Sequence, residues 1–127
     1  MSTDPSVEAL DRAADAPVLK LDGLDAPVAI ESIQLLRKDR EYYVLARSTD
    51  GAEGLAFTNG RAPYLHPILN LLVTPYFIGK DARDLEAHLW GVYRHSSNYK
   101  LLGQALWCPV AWVEFALLDM LGRISGK

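Results

Sequence analysis

The chain has 127 residues, half of them apolar, a single cysteine and a formal net charge of −3, which suits one domain with a real core and is too short for two ordinary ones. No Lys/Arg run supplies a phosphate-neutralising field, which argues against nucleic acid as a partner. Met1 to Asp15 lacks the basic start and apolar stretch of a secretory signal, no unbroken apolar run approaches the roughly 18 residues that cross a bilayer, and Cys108 alone can make neither an intrachain disulfide nor a Cys-based metal site.

These features predict a soluble, cytoplasmic protein with no membrane contact, held together by packing. Residues 1–26 carry six acids (Asp4, Glu8, Asp11, Asp15, Asp22, Asp25) against Arg12 and Lys20, net −4, and are broken by Pro5, Pro17 and Gly23. Such a segment cannot bury enough apolar area to offset its ordering entropy. It reads as an acidic, mobile or loosely docked extension, with Val18, Leu19, Leu21 and Leu24 available as anchors. The remaining 101 residues carry ten acids and eleven bases, and residues 27–127 read as the domain.

Val28 to Arg37 and Tyr42 to Thr49 are rich in β-branched, aromatic and aliphatic residues and read as strands joined by the charged tip Lys38-Asp39-Arg40. Alternation places Tyr42, Val44, Ala46 and Ser48 on one face of the second strand and Tyr43, Leu45, Arg47 and Thr49 on the other. Asp50-Gly51 through Gly54 suits a second turn into Leu55 to Thr58, which completes a meander. Beyond Asn59-Gly60-Arg61 the period becomes helical, with Leu65, Ile68, Leu69, Leu72 and Val73 on one face and Pro75 as the expected stop. Asp81 is placed as the N-cap of a second helix near Ala82 to Arg94, whose stripe is Leu85, Leu89, Val92 and Tyr93. A polar loop, His95 to Lys100, leads to a helix from Pro109 to about Leu121, with Val110, Val113, Leu117 and Met120 inward and Gly122 as its stop. The prediction is an α+β fold: a three-stranded antiparallel β-meander followed by a bundle of about three helices.

Three segments carry a resemblance. Tyr43 to Gly51, followed by Gly54, resembles a family hairpin with Thr and Asp-Gly before a second Gly. Ile78-Gly79-Lys80-Asp81, with Leu85-Glu86, Leu89-Trp90 and Tyr93, is similar to a family segment that opens a helix after Gly-Lys-Asp. Glu114 to Arg123 is similar to the family's closing helix, with its Glu, Ala-Leu and Asp. In this order and spacing, the segments resemble the N-terminal capping domain of the enolase superfamily, of the mandelate racemase and muconate lactonizing type. The resemblance implies a (β/α)8 barrel of the same protein as partner, absent from this chain, which holds Mg2+ and the catalytic groups. It implies abstraction of a proton α to a carboxylate, as a racemase, cycloisomerase or acid-sugar dehydratase; this chain alone would be inert. A stand-alone binding or assembly module derived from such a domain is the alternative.

The resemblance also implies specificity loops at the hairpin tip and after the third strand, here Lys38 to Arg40 and Thr58 to Arg61; the tip is short for the family's early loop and is expected to cover less of the barrel mouth. Arg61 could pair with a substrate carboxylate, Asn59 could bond hydroxyls, and Tyr64 lies just beyond; the plainer reading is a solvated Asn-Gly turn. The Arg beside a polar loop favours an acid-sugar substrate. Gly54-Leu55-Ala56-Phe57 stands where many members have Gly-Trp-Gly-Glu, which leaves the subgroup open. His66, His88 and His95 lack a third ligand at matching spacing and read as surface or satisfied histidines, Cys108 as a buried small hydrophobe, and Trp90, Trp107 and Trp112 as core or interface. The last helix is apolar on more than one face, so self-association is expected, through that helix or through the sheet edge.

Overall fold

The computed structural model describes residues 6–126; Met1 to Pro5 of the acidic extension, and Lys127, lie outside the described residues. Strands β1 (Ile30–Lys38), β2 (Glu41–Ser48) and β3 (Glu53–Phe57) form an antiparallel sheet in the order β1-β2-β3. The expected alternation holds: Val44, Ala46 and Ser48 are buried, whereas Tyr43, Leu45 and Arg47 on the opposite face are partly open. Ile30 pairs with Ser48 and Ser32 with Arg47, so the extra residue Glu31 bulges out of β1.

The helices follow on the inner face of the sheet: α2 (Ala62–Ile68), α3 (Thr74–Phe77), α4 (Leu85–Arg94) and α5 (Gln104–Ser125). The α+β meander-and-bundle architecture is therefore present, with boundaries that depart from expectation at prolines and glycines. Pro75 does not end its helix. A π-helical turn, Leu69–Val73, joins α2 to α3, and the Thr74 N–H bonds the Leu69 carbonyl. The wider turn makes room for a ring that has no N–H and would collide with the preceding carbonyl in a regular helix. The chain then reaches Phe77, which is fully buried.

Helix α5 begins five residues before Pro109 and runs past Gly122 to a left-handed Gly126 at φ 77°. Proline within the helix costs about 3 kcal/mol and glycine about 1 kcal/mol. Against those costs Leu106, Trp112 and Leu121 are buried, and Trp107 stacks on Tyr93 with ring centroids 5.7 Å apart. By length and apolar content α5 could cross a membrane, a property that the unbroken-run count missed. Here it is the core helix: Val110, Val113, Ala116, Leu117 and Met120 pack under the sheet.

The loop from His95 to Lys100 is also more ordered than its polarity suggested. It forms 3-10 turns with Ser96 and Ser97 at positive φ, and these deliver Asn98 into the interior. Asn98 Nδ2 donates to the carbonyls of Leu72 and Val92, which ties the end of α4 to the π-helical turn. Within the acidic extension, Val7–Asp15 forms a helix, α1, capped by Ser6 and with no buried residue. Beyond it Leu24 is buried, Leu19 packs partly against the core, and the Val18 N–H donates to Glu86.

Candidate functional site

Local chemistry at two sheet-bundle junctions sets where the loops lie. Asp81 sits at the first. Its Oδ1 accepts from the Val28 and Arg83 amides, each at 3.0 Å, and its carboxylate pairs with the Arg83 guanidinium at 2.9 Å. Burial alone would push the carboxyl up; the Arg83 guanidinium and the two amide bonds outweigh it and hold the pKa below the usual carboxylate range. Arg83 also donates to the Leu24 carbonyl, and Ala29 bridges to Asp81, so the entry to β1 is fastened to the start of α4.

His88 belongs to the same junction. Its Nε2 lies 2.8 Å from the Asp81 carbonyl oxygen, which can only accept, so this nitrogen carries the proton. In the neutral ring Nδ1 then accepts from the Tyr76 hydroxyl at 3.2 Å. Burial raises the Tyr76 pKa, which keeps that donor protonated. His88 is thus a satisfied histidine, one of the two readings that the sequence offered, and it ties α4 to this junction. Among the described residues no three His, Cys, Asp or Glu side chains are placed to hold a metal ion.

The second junction joins β3 to α5. Gly54 is so close to α5 that an added Cβ would fall inside contact with the Ala116 carbonyl. Next to it the outward Leu55 N–H donates to Asp119 Oδ2 at 2.8 Å, and Arg123 donates to the same oxygen at 3.0 Å. Of the two sheet edges, β1 and β3, the β3 edge is therefore bonded at its centre by a carboxylate. A backbone N–H so occupied cannot recruit another strand there.

These fastenings leave the hairpin tip and the loop after β3 side by side. Tyr43 pairs with Phe57, and the Thr58 N–H and hydroxyl both donate to the Tyr42 carbonyl, at 3.1 and 2.9 Å. A groove of about 400 Å3 opens between them, lined by Arg40 and Glu41 from the tip, Tyr42 and Phe57 from the sheet, and Thr58, Asn59, Gly60 and Pro63 beyond it. The tip itself is stiffened: Asp39 takes φ 57°, the Arg37 Nε–H donates to the Asp39 carbonyl, and the Arg37 guanidinium lies over the Tyr42 ring. Beside it the Tyr43 hydroxyl donates to Glu41 at 2.7 Å, and that bond, with desolvation and the charges of Glu41 and Asp39, raises the Tyr43 pKa.

The three residues singled out from sequence are divided by this geometry. Asn59 lines the groove; its Oδ1 accepts the Arg61 N–H at 3.0 Å, and its Nδ2 donates to Cys108 Sγ at 3.7 Å. Arg61 and Tyr64 lie outside the groove wall and bond to each other, Nη1 to hydroxyl, at 2.8 Å. The cation that lines the groove is Arg40. Sequence reading named the tip as a loop but not Arg40 as a site residue. Its signal was available in the expected antiparallel meander, whose up-down-up order brings the tip between β1 and β2 to the same end of the sheet as Thr58 after β3.

No protein-family model matches the sequence, and no curated protein matches it. Solved structures do. One is a proposed racemase from Roseobacter denitrificans, 27% identical over 78% of this chain and 27% of that one, with a TM-score of 0.70. Another is a muconate cycloisomerase from Azorhizobium caulinodans, 20% identical over 77% of this chain and 28% of that one, with a TM-score of 0.63. The chain thus spans about a quarter of the length of each structure it resembles.

Proposed function

We infer that this chain, whose fold is that of the N-terminal capping domain of the enolase superfamily, closes over the active site of a (β/α)8 barrel and helps select its substrate. The observation that carries the reading is the single groove shared by the hairpin tip and the loop after β3, bordered by Arg40 and Asn59. Two loops from different elements can converge on a bound small molecule only if the sheet holds them at one end, as Thr58 and Tyr42 do here.

In this reading the substrate is a small carboxylate or acid sugar. The Arg40 guanidinium in the groove wall attracts its charge, Arg61 adds positive charge from beside the groove, and Asn59 and Thr58 provide partners for hydroxyls. Tyr64 holds the Arg61 guanidinium by its hydroxyl and sets its direction. The barrel would supply a base for the proton α to the carboxylate and the carboxylates that hold Mg2+, which would act there as a Lewis acid. Racemisation, cycloisomerisation and dehydration can all begin with that proton transfer. This chain's part is to bind, orient and exclude water.

The test is kinetic and uses the complete enzyme. Arg61→Ala and Arg40→Ala should each raise KM or lower kcat/KM for the acid substrate by about tenfold or more, the scale of one lost charge-assisted bond. If neither substitution changes the kinetics, the loops are ordinary turns.

A further inference from the structure

The loop after β3 contains the bonded pair Asn59-Gly60, and both residues are exposed. The other two asparagines are set differently: Asn70 precedes Leu71 in the π-helical turn, and Asn98 is 1% exposed and precedes Tyr99. The Asn59 side chain is held in one pose. Its Oδ1 accepts the Arg61 N–H at 3.0 Å, an Asx turn that folds the carboxamide back over the Gly60 peptide. The Ala62 N–H bonds the Asn59 carbonyl at 3.2 Å and closes the surrounding turn. At Gly60 an added Cβ would meet nothing within 4 Å, so a side chain fits there without displacing a neighbour.

We propose that Asn59 is a self-modification site, at which the loop converts itself slowly from neutral to anionic by deamidation. The Gly60 amide nitrogen gives up its proton to water and bonds to Asn59 Cγ. Negative charge then develops on Oδ1, the atom that already accepts the Arg61 N–H, so the loop carries its own oxyanion donor. The bond from Cγ to Nδ2 breaks, and Nδ2 takes up a proton and leaves as ammonia. Water opens the resulting succinimide at either carbonyl, giving aspartate or isoaspartate at position 59. One water is consumed, one ammonia is released, and nothing is oxidised or reduced.

The change matters because of its neighbours. A carboxylate at position 59 lies two residues from Arg61, competes for its guanidinium, and cannot donate to Cys108 Sγ as Nδ2 does. On the reading of this loop as a substrate contact, conversion replaces a hydroxyl partner with a charge that repels carboxylates. That consequence rests on the proposed function; the modification does not.

The test follows the chemistry directly. The chain is held at mildly alkaline pH, folded or in guanidinium chloride, and site 59 is followed by peptide mass and by isoaspartyl methylation. The expected result is conversion at Asn59 at least as fast in the folded chain as in denaturant, with Asn98 unchanged while folded. Gly60→Ala, which the open space tolerates, should slow it by about tenfold or more. Slower conversion in the folded chain than in denaturant would overturn the proposal, as would an undiminished rate in Gly60→Ala. Separately, Asn59→Asp in the complete enzyme should raise KM for the acid substrate. Unchanged kinetics there, with conversion intact, would overturn the substrate reading and leave the modification standing.

Discussion

Replacing Gly54 by alanine should be strongly destabilising. The added Cβ would overlap the Ala116 carbonyl oxygen and lie 2.5 Å from Met120 N and 2.7 Å from Met120 Cβ, where ordinary contact begins at 3.4 Å. Most of these obstacles are helix backbone, which no rotamer change can move. Helix α5 would have to retreat from β3 by about 1 Å, and a gap of that size forfeits a quarter to a half of each dispersion contact across it. The contacts concerned are those of Val113, Leu117 and Met120 beneath Val44, Ala46 and Ala56, all buried. The Leu55 bond to Asp119 would stretch by a similar amount. Overpacking typically costs 1–3 kcal/mol, and with a rigid backbone as the obstacle we expect about 3 kcal/mol or more. Urea unfolding followed by circular dichroism measures it, with Gly60→Ala as a control that should stay near wild type. A Gly54→Ala midpoint equivalent to a loss under about 0.5 kcal/mol, the range of an ordinary surface change, would refute the close approach of strand and helix.

Two further predictions concern the other fastenings. Because the folded Asp81 pKa is lowered relative to an unfolded value near 3.9, its stabilisation is complete above about pH 5 and is lost as pH falls through the folded value. Asp81→Asn should therefore cost about 1 kcal/mol at neutral pH and lose less stability than wild type on acidification, as read from urea midpoints across pH; equal acid sensitivity would remove Asp81 from that role. Asp119→Ala should cost about 1–2 kcal/mol, because the Leu55 N–H loses a charged acceptor, and should increase self-association by opening the β3 edge; light scattering against wild type reports the second effect.

The departures at Pro75, Pro109 and Gly122 share one cause. Each residue has an unfavourable local helical propensity, and each was read as a boundary for that reason. The cost of about 1–3 kcal/mol is comparable to what one buried aromatic or aliphatic side chain contributes. Phe77 and Leu106 provide that contribution just beyond Pro75 and Pro109, whereas past Gly122 no described residue is buried and the last turn is held by Arg123 on Asp119 and by the Ser125 hydroxyl on the Gly122 carbonyl. Propensity is visible along the chain; the compensating burial is not. The polar loop from His95 to Lys100 failed to read as structure for the complementary reason, since the acceptors of Asn98 belong to Leu72 and Val92.

The sequence by itself determined the architecture, because period two in Tyr42 to Ser48 and period 3.6 from Leu65 onward each admit one element type and one buried face. It also determined the Asp81 cap, which depends on neighbours only a few residues away, while the candidate loops followed from the family resemblance. Tertiary structure alone decided how the loops share a groove, that Arg40 lines it while Arg61 turns to Tyr64, and that Asp119 occupies the β3 edge. The Asp119 contact joins residues 64 apart in the chain. Arg61 and Tyr64 are only three apart, yet whether the guanidinium faces the groove or the tyrosine is fixed by the turn at Asn59 and the start of α2, and no periodicity encodes that direction.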